Sequence, residues 1–320
     1  MPLLDHTPES ASPVSVSQAG LIRLSGPARA IALDVLRVNS LQTGAYVSHF
    51  RGRGMEFDES RPYQPGDDPR SIDWRVTART GRAHTKVFQE ERERPVLVVL
   101  DAGPTLYFGT RRRLKSVAAG QMAAAIAWAA VRRGDRIGGF FFAPGKHREL
   151  RPAGGRRGAM RLIQGLVDWL QPERHPTGEP EKLSSALERV RHTVRPGSLV
   201  IIVSDFFGLD AQCNRHLSRL RQHSDVVGLQ ITDPIEINTP PPGRYGVSDG
   251  VQAGVLDTGS GEGRRHYREF FQARQQRLQR LTGQRGIPLV QLSTTDNVTE
   301  ALQARFGGRR RLPAVSGASA

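Results

Sequence analysis

Five short aliphatic runs constrain this chain more than anything else in it. They are "VLVVL" (96–100), "RIGGFFFA" (136–143), "SLVIIVS" (198–204), "VVGLQIT" (226–232) and "PLVQLS" (288–293). All five read as strands, and the first and third, without polar alternation, predict burial on both faces, as in the middle of a parallel sheet. The segments between them read as helices. They include "LKSVAAGQMAAAIAWAAVRRG" (114–134), closed by basic residues and Gly134, and "RRGAMRLIQGLVDWLQ" (156–171), with an apolar stripe through Met160, Ile163, Leu166, Val167 and Leu170. Strands alternating with helices predict an α/β fold, a mostly parallel sheet with helices on both faces. Ligands of such sheets sit at the C-terminal strand ends. Asp101 follows the first run and Asp205 the third, so both are expected at that edge.

The expected layout places a Ser/Pro-rich tail without structure at 1–20 and an amphipathic helix in "PARAIALDVLRVNSLQ" (27–42). A turn-rich segment continues to 94, and the α/β domain spans 95–306 with an inserted loop or hairpin near 238–262. A flexible basic tail follows at 307–320. The longest uncharged run, Ser116–Val131, is shorter than the roughly 20 apolar residues of a membrane span and predicts a buried helix. With no signal-peptide pattern, a cytoplasmic location is the expectation.

The function classes narrow from what is missing. One cysteine, Cys213, gives neither a disulfide framework nor a cysteine zinc site. There is no G-x-x-x-x-G-K-[ST] and no H-E-x-x-H, and Ser204-Asp205 lacks the glycine-flanked elbow of a hydrolase. The net charge of +15 is spread over short clusters without a nucleic-acid-binding motif, so specific nucleic-acid recognition is not expected. "RPAGGRRGAMR" (151–161) reads as a flexible loop, with an anion-holding turn ahead of a helix as the alternative.

The densest chemistry lies in "EFDESRPYQPGDDPRSIDWRVTARTGR" (56–82). Pro65-Gly66 signals a type II turn that would present Asp67 and Asp68 rigidly. Arg61, Arg70, Arg75 and Arg79 are spaced to pair with Glu56, Asp58, Asp67, Asp68 and Asp73, and Arg–carboxylate pairs are directional. Trp74 is expected as a large apolar anchor, and Tyr63 and Gly66 complete the set. Such a network either pins the segment in place or forms a polar surface for a partner.

"GMEFDESRPYQPGDDPRSIDW", "ARTGR", "FQEE" and "VLVVLDAG" together resemble the bacterial domain-of-unknown-function family numbered fifty-eight, often encoded beside MoxR-type AAA+ ATPases. The likeness is densest over about 51–205 and weaker to about 306. It implies a von Willebrand factor A-like domain behind the family's signature segment. It also implies a MoxR-type ATPase as partner, with other von Willebrand A-domain proteins as further candidates. Many relatives carry transmembrane helices that this sequence lacks. The resemblance further implies a Mg²⁺ site at Asp101, Thr105 and Asp205. In "DAGPT", Gly103 stands where the pattern has Ser, and "GEPEKLSSAL" offers Glu181 rather than the usual Thr. The site is therefore expected to be weak or degenerate, with a hydrogen-bond donor in the cation's place. The leading function is a non-enzymatic adaptor for an ATPase that assembles or matures other proteins. The alternatives are a metal-assisted hydrolase using Asp101 and Asp205, and a basic scaffold for anionic polymers.

Overall fold

The computed structural model describes residues 12–33, 55–90, 93–171, 173, 176, 179–248 and 253–306. The chain divides into two compact units, one of Leu41–Glu93 and one of everything else. Helix α1 (Gln18–Arg23) opens the larger unit, with Ser17 accepting the Gly20 N–H as its cap. Residues 12–20, expected to lack structure, thus contribute to the fold. Val16 and Leu21 are buried because they pack on the apolar faces of later helices. The helix expected from Pro27 is a single 3₁₀ turn, Pro27–Ala30, after which Ile31 is extended and buried. The remainder of that expected helix lies outside the described residues.

The smaller unit contains strand β1 (Met55–Pro62), helix α2 (Trp74–Thr80) and strand β2 (His84–Glu90). The two strands pair antiparallel, with Pro62 opposite His84. Gly81, at a φ of 70°, ends α2 in the left-handed conformation that a Cβ would strain.

The larger unit resumes with β3 (Pro95–Asp101), α3 (Lys115–Arg132), β4 (Arg136–Ala143), β5 (Lys146–Ala153), α4 (Gly155–Trp169), α5 (Leu183–Thr193) and β6 (Leu199–Ser204). It continues with α6 (Cys213–His223), β7 (Asp225–Thr232), α7 (Pro234–Ile237), β8 (Arg244–Ser248), β9 (Ala253–Asp257), α8 (Gly261–Gly283), β10 (Leu289–Ser293) and α9 (Val298–Phe306). Six strands form one sheet in the order β10-β7-β6-β3-β4-β5, parallel except for the β4–β5 pair. β8 and β9 form a separate hairpin within 238–262.

The strand pattern explains the layers. On β3, Val96, Val98 and Leu100 face one side, into a core shared with α3, α4 and α9. Leu97 and Val99 face the other, into a core with α5, α6 and the C-terminal half of α8. An all-aliphatic strand is what burial on both faces requires. α3 can lie deep because its alanines let backbones approach closely.

The loop expected at 151–161 is instead the end of β5 and the start of α4. The β5 side chains are mostly exposed and charged, as suits an edge strand that must not recruit another chain. Gly155 takes a left-handed φ of 62°, and Gly158 serves close packing. A Cβ at Gly158 would lie 2.0 Å from the Ala153 carbonyl oxygen, so only glycine lets α4 start there.

Candidate functional site at the carboxyl edge of the sheet

The strand order reverses at β3 and β6, which are neighbours with Leu100 opposite Val203. The next residues, Asp101 on one strand and Ser204-Asp205 on the other, therefore emerge side by side. Asp101 Oδ2 accepts the Ser204 hydroxyl at 2.7 Å, and its Oδ1 accepts the Gly103 N–H at 2.9 Å. A Cβ at Gly103 would lie 3.0 Å from Asp101 Oδ1. The residue that breaks the expected Ser pattern thus gives its backbone N–H close access to the carboxylate.

Asp205 is anchored differently. Its Oδ1 accepts the Phe207 N–H at 3.0 Å, and its Oδ2 lies 2.8 Å from Lys115 Nζ. Lys115, the first residue of α3, is 1% exposed, and its ammonium also meets Glu236 Oε1 at 2.8 Å. The other Glu236 oxygen accepts the Asp233 N–H at 2.8 Å, closing a capping box at α7. Asp233, at the end of β7, accepts from the Thr110 N–H and hydroxyl and from the Thr294 hydroxyl. One ammonium thus sits among buried carboxylates drawn from three strand ends and a short helix.

The electrostatics follow from burial and from that cation. Burial raises the Asp101 carboxyl, and the Asp205 charge raises it further. The Ser204 and Gly103 donors offset only part of this, leaving it at about 7. Burial alone would raise Asp205 as well, but the Lys115 charge and hydrogen bond and the Phe207 N–H hold it below the usual carboxylate range. For Lys115, desolvation pulls down while Asp205 and Glu236 pull up, and the net direction is up, so the ammonium stays charged.

The chain turns sharply after Asp205. Phe206 has a φ of 57°, left-handed for a bulky residue, which costs roughly 1–2 kcal/mol. The turn sends Phe206 into the core and leaves Phe207 37% exposed, so one aromatic anchors the loop and the next is offered outward.

These residues do not fit a Mg²⁺ site. All four carboxylate oxygens of Asp101 and Asp205 already accept hydrogen bonds from protein donors. An ammonium 2.8 Å from Asp205 would also repel a dication. Thr105 lies in a 3₁₀ turn, Pro104–Leu106, and hydrogen-bonds to neither aspartate. Glu181 is engaged by Arg189 instead. The donor that meets Asp205 at this edge is Lys115.

Lys115 and Asp233 went unread in the sequence although both left signals. A lysine in a helix's first turn opposes the helix dipole and needs a local partner. "DPIE" (233–236) is a capping-box pattern with proline at N1. Cys213 is buried, and burial pushes its thiol up to about 12, which suits an inert side chain.

The signature segment is built on carboxylates in a way that differs from the expected charge ladder. Asp67 is 8% exposed and takes both guanidinium nitrogens of Arg61, at 2.8 and 2.7 Å, plus the Gln64 N–H at 2.9 Å. The Asp67 N–H returns to the Gln64 carbonyl, and Gly66 has a φ of 107°, giving the expected turn. The Tyr63 hydroxyl donates to the Asp67 carbonyl at 3.2 Å.

Asp68 and Asp73 are helix caps rather than arginine partners. Asp68 accepts the Arg70 N–H, and Asp73 accepts the Arg75 and Val76 N–H groups and the Ser60 hydroxyl. That hydroxyl, though opposed by burial, helps hold the Asp73 carboxyl below its usual range. Among the described residues, Arg70, Arg75 and Arg79 make no ion pair. The Glu56 and Asp58 side chains lie outside what is described. Trp74 is the sharpest difference: expected as an anchor, it is 71% exposed at the start of α2.

Comparison with known proteins gives the family of this chain. The uncharacterized protein Rv1480 of Mycobacterium tuberculosis is 29% identical over 256 residues, covering 78% of this chain and 79% of its own length. Mb1516 of Mycobacterium bovis, also uncharacterized, matches to the same extent. Among solved structures, the conserved hypothetical protein BatB from Bacteroides thetaiotaomicron covers 66% of this chain and 96% of its own, at 12% identity and a TM-score of 0.43. An aerotolerance-related membrane protein from Bacteroides fragilis gives the same coverage at a TM-score of 0.41. No helix among the described residues is long and apolar enough to cross a membrane. The family model described as "Protein of unknown function DUF58" matches residues 59–280, and the chain belongs to that family.

Proposed function

We propose that this chain is a non-enzymatic interaction module of von Willebrand A-like type. In this reading it works in the cytoplasm with a MoxR-type AAA+ ATPase in the assembly or maturation of other proteins. The observation that carries the reading is Trp74. The signature segment spends two buried aspartates and a bidentate arginine on fixing its own backbone, yet its largest side chain remains 71% exposed. Exposed tryptophan beside unpaired arginines is the composition of an interface hot spot, not of a core.

The sheet edge favours the same reading over a hydrolase. Lys115 neutralises the acids that would otherwise serve a metal or a water nucleophile, and Glu236 is committed to the same ammonium. A generic anion scaffold has less support, because the bases do not gather around one groove with a nucleic-acid motif.

The test is affinity capture of the co-expressed MoxR-type ATPase of the same genome, with and without ATP. Wild type should retain it, and Trp74→Ala should lose most of the capture while keeping its far-UV circular dichroism. Equal capture by both proteins, or none by either, would overturn the reading.

A further inference from the structure

Helix α8 is 23 residues long, but among its residues only Leu278 and Thr282 are buried. Its C-terminal half rests on the core. Its stretch from Tyr267 to Gln279 lines one side of a cavity of about 330 Å³, with Gln230 and Thr232 of β7 and Gln291 of β10 on the other. That volume lies in the range of ligand sites, roughly 300–1,000 Å³.

Three observations define what the cavity can take. First, Arg268 and Arg274 line it, and among the described residues neither forms an ion pair or hydrogen bond with a carboxylate. Arg274 is held in place by rings, 4.1 Å above Phe207 and within 5.8 Å of Phe270 and Phe271. A guanidinium fixed by stacking keeps its donors for an anion. Second, Gln230 lines the cavity and is 6% exposed. Its Nε2 donates to Gln275 Oε1 at 2.9 Å, but its Oε1 is buried without a partner. Whichever way that amide is turned, one polar atom is left over, and a buried unsatisfied group costs about 1–3 kcal/mol until something completes it. Third, Phe207 and Phe270, whose rings flank the cavity-lining Arg274, are 37% and 51% exposed, an apolar contact beside the charge.

We propose that this cavity docks an acidic peptide segment of a partner protein. Its carboxylates meet Arg268 and Arg274, its backbone amide completes Gln230, and an apolar side chain lies on Phe207 and Phe270. A peptide supplies anion, amide and apolar group together at this spacing. Asp205 and Glu236 line the same cavity, but Lys115 offsets their charge, so the two arginines set its sign. The proposal rests on the interaction-module reading but not on the ATPase being the owner of the segment.

The test is fluorescence anisotropy with a fluorescein-labelled peptide of alternating Glu and Leu, at physiological salt. Because the chain carries +15, a charge-matched control is essential. Arg268→Glu/Arg274→Glu should weaken binding at least tenfold. Arg156→Glu/Arg157→Glu, an identical charge change at the exposed start of α4, should leave it within twofold. Gln230→Leu should weaken it severalfold. If Gln230→Leu fails to fold, the two arginine pairs still decide, since Arg268 is exposed and Arg274 half-buried on α8. Equal weakening in both charge pairs, no binding in wild type, or displacement by an equal concentration of oligothymidine would overturn the proposal. Capture of the ATPase is read separately through Trp74→Ala, so either idea can fail while the other stands.

Discussion

Replacing Lys115 by Met tests the reading of the sheet edge most directly. Met keeps the apolar stem and much of the volume, so the packing loss is small. What is removed is the ammonium shared by Asp205 and Glu236, at 2.8 Å from each, in a site where Lys115 is 1% and Asp205 3% exposed. Removing one partner of a buried pair costs about 3–5 kcal/mol, because the remaining charge has lost its compensation. Domains are stable by only about 5–15 kcal/mol, so the loss would be roughly a fifth of the total at least, and most of it in a marginal domain.

The pH dependence supplies the sign. In the wild type the Asp205 pKa is lowered on folding, so its contribution is present above the unfolded pKa and is lost as pH falls through the folded one. In Lys115→Met burial is opposed only by the Phe207 N–H and the more distant Arg274 charge, so that pKa moves up. The variant should therefore regain stability as Asp205 protonates, and its deficit should shrink below neutral pH. Urea unfolding followed by circular dichroism at several pH values measures this. Lys115→Met/Asp205→Asn should recover at least half of the deficit at pH 7. A loss under about 1 kcal/mol at neutral pH, or one that does not change with pH, would show that the ammonium does not hold the edge together.

Four further outcomes follow from the same geometry. Asp101, raised on folding to about 7, contributes stability that is complete below its unfolded pKa and is lost as pH rises through about 7; Asp101→Asn should flatten urea midpoints over that window. Wild-type melting should not move with about 5 mM Mg²⁺, since the folded state assembles no open ligand set; a rise in differential scanning fluorimetry that disappears in Asp101→Ala would contradict this. Trp74→Ala should change unfolding free energy by no more than about 0.5 kcal/mol, because the ring is already in water. Asp67→Ala leaves the Arg61 fork and the Gln64 N–H without their acceptor; it should cost about 2–3 kcal/mol and open residues 61–79 to limited proteolysis that spares the wild type.

Much of the sheet was legible because burial on both faces leaves a run that only aliphatic residues satisfy. Val96–Leu100 and Leu199–Ser204 could hardly be anything else, and the acids after them could be placed at one edge. β5 was not legible, because an exposed edge strand such as "KHRELRPA" carries the charges of a loop. Lys115 was hidden for a related reason: a lysine heading a helix ordinarily reaches solvent, and only the neighbouring strand ends decide that this one cannot. Trp74 was misjudged because size suggests burial while position on α2 decides it. Asp73 was assigned to arginine pairing when its place just before a helix already marked it as a cap.

The Lys115 ammonium has one more consequence. A metal ion at a sheet edge comes and goes, with occupancy set by its concentration and by competing chelators. A cation on the chain's own side chain has no dissociation constant: it is loaded when the protein folds and leaves only when the protein unfolds. The charge of Asp205 and Glu236 is thus balanced without drawing on the divalent ions of the surroundings.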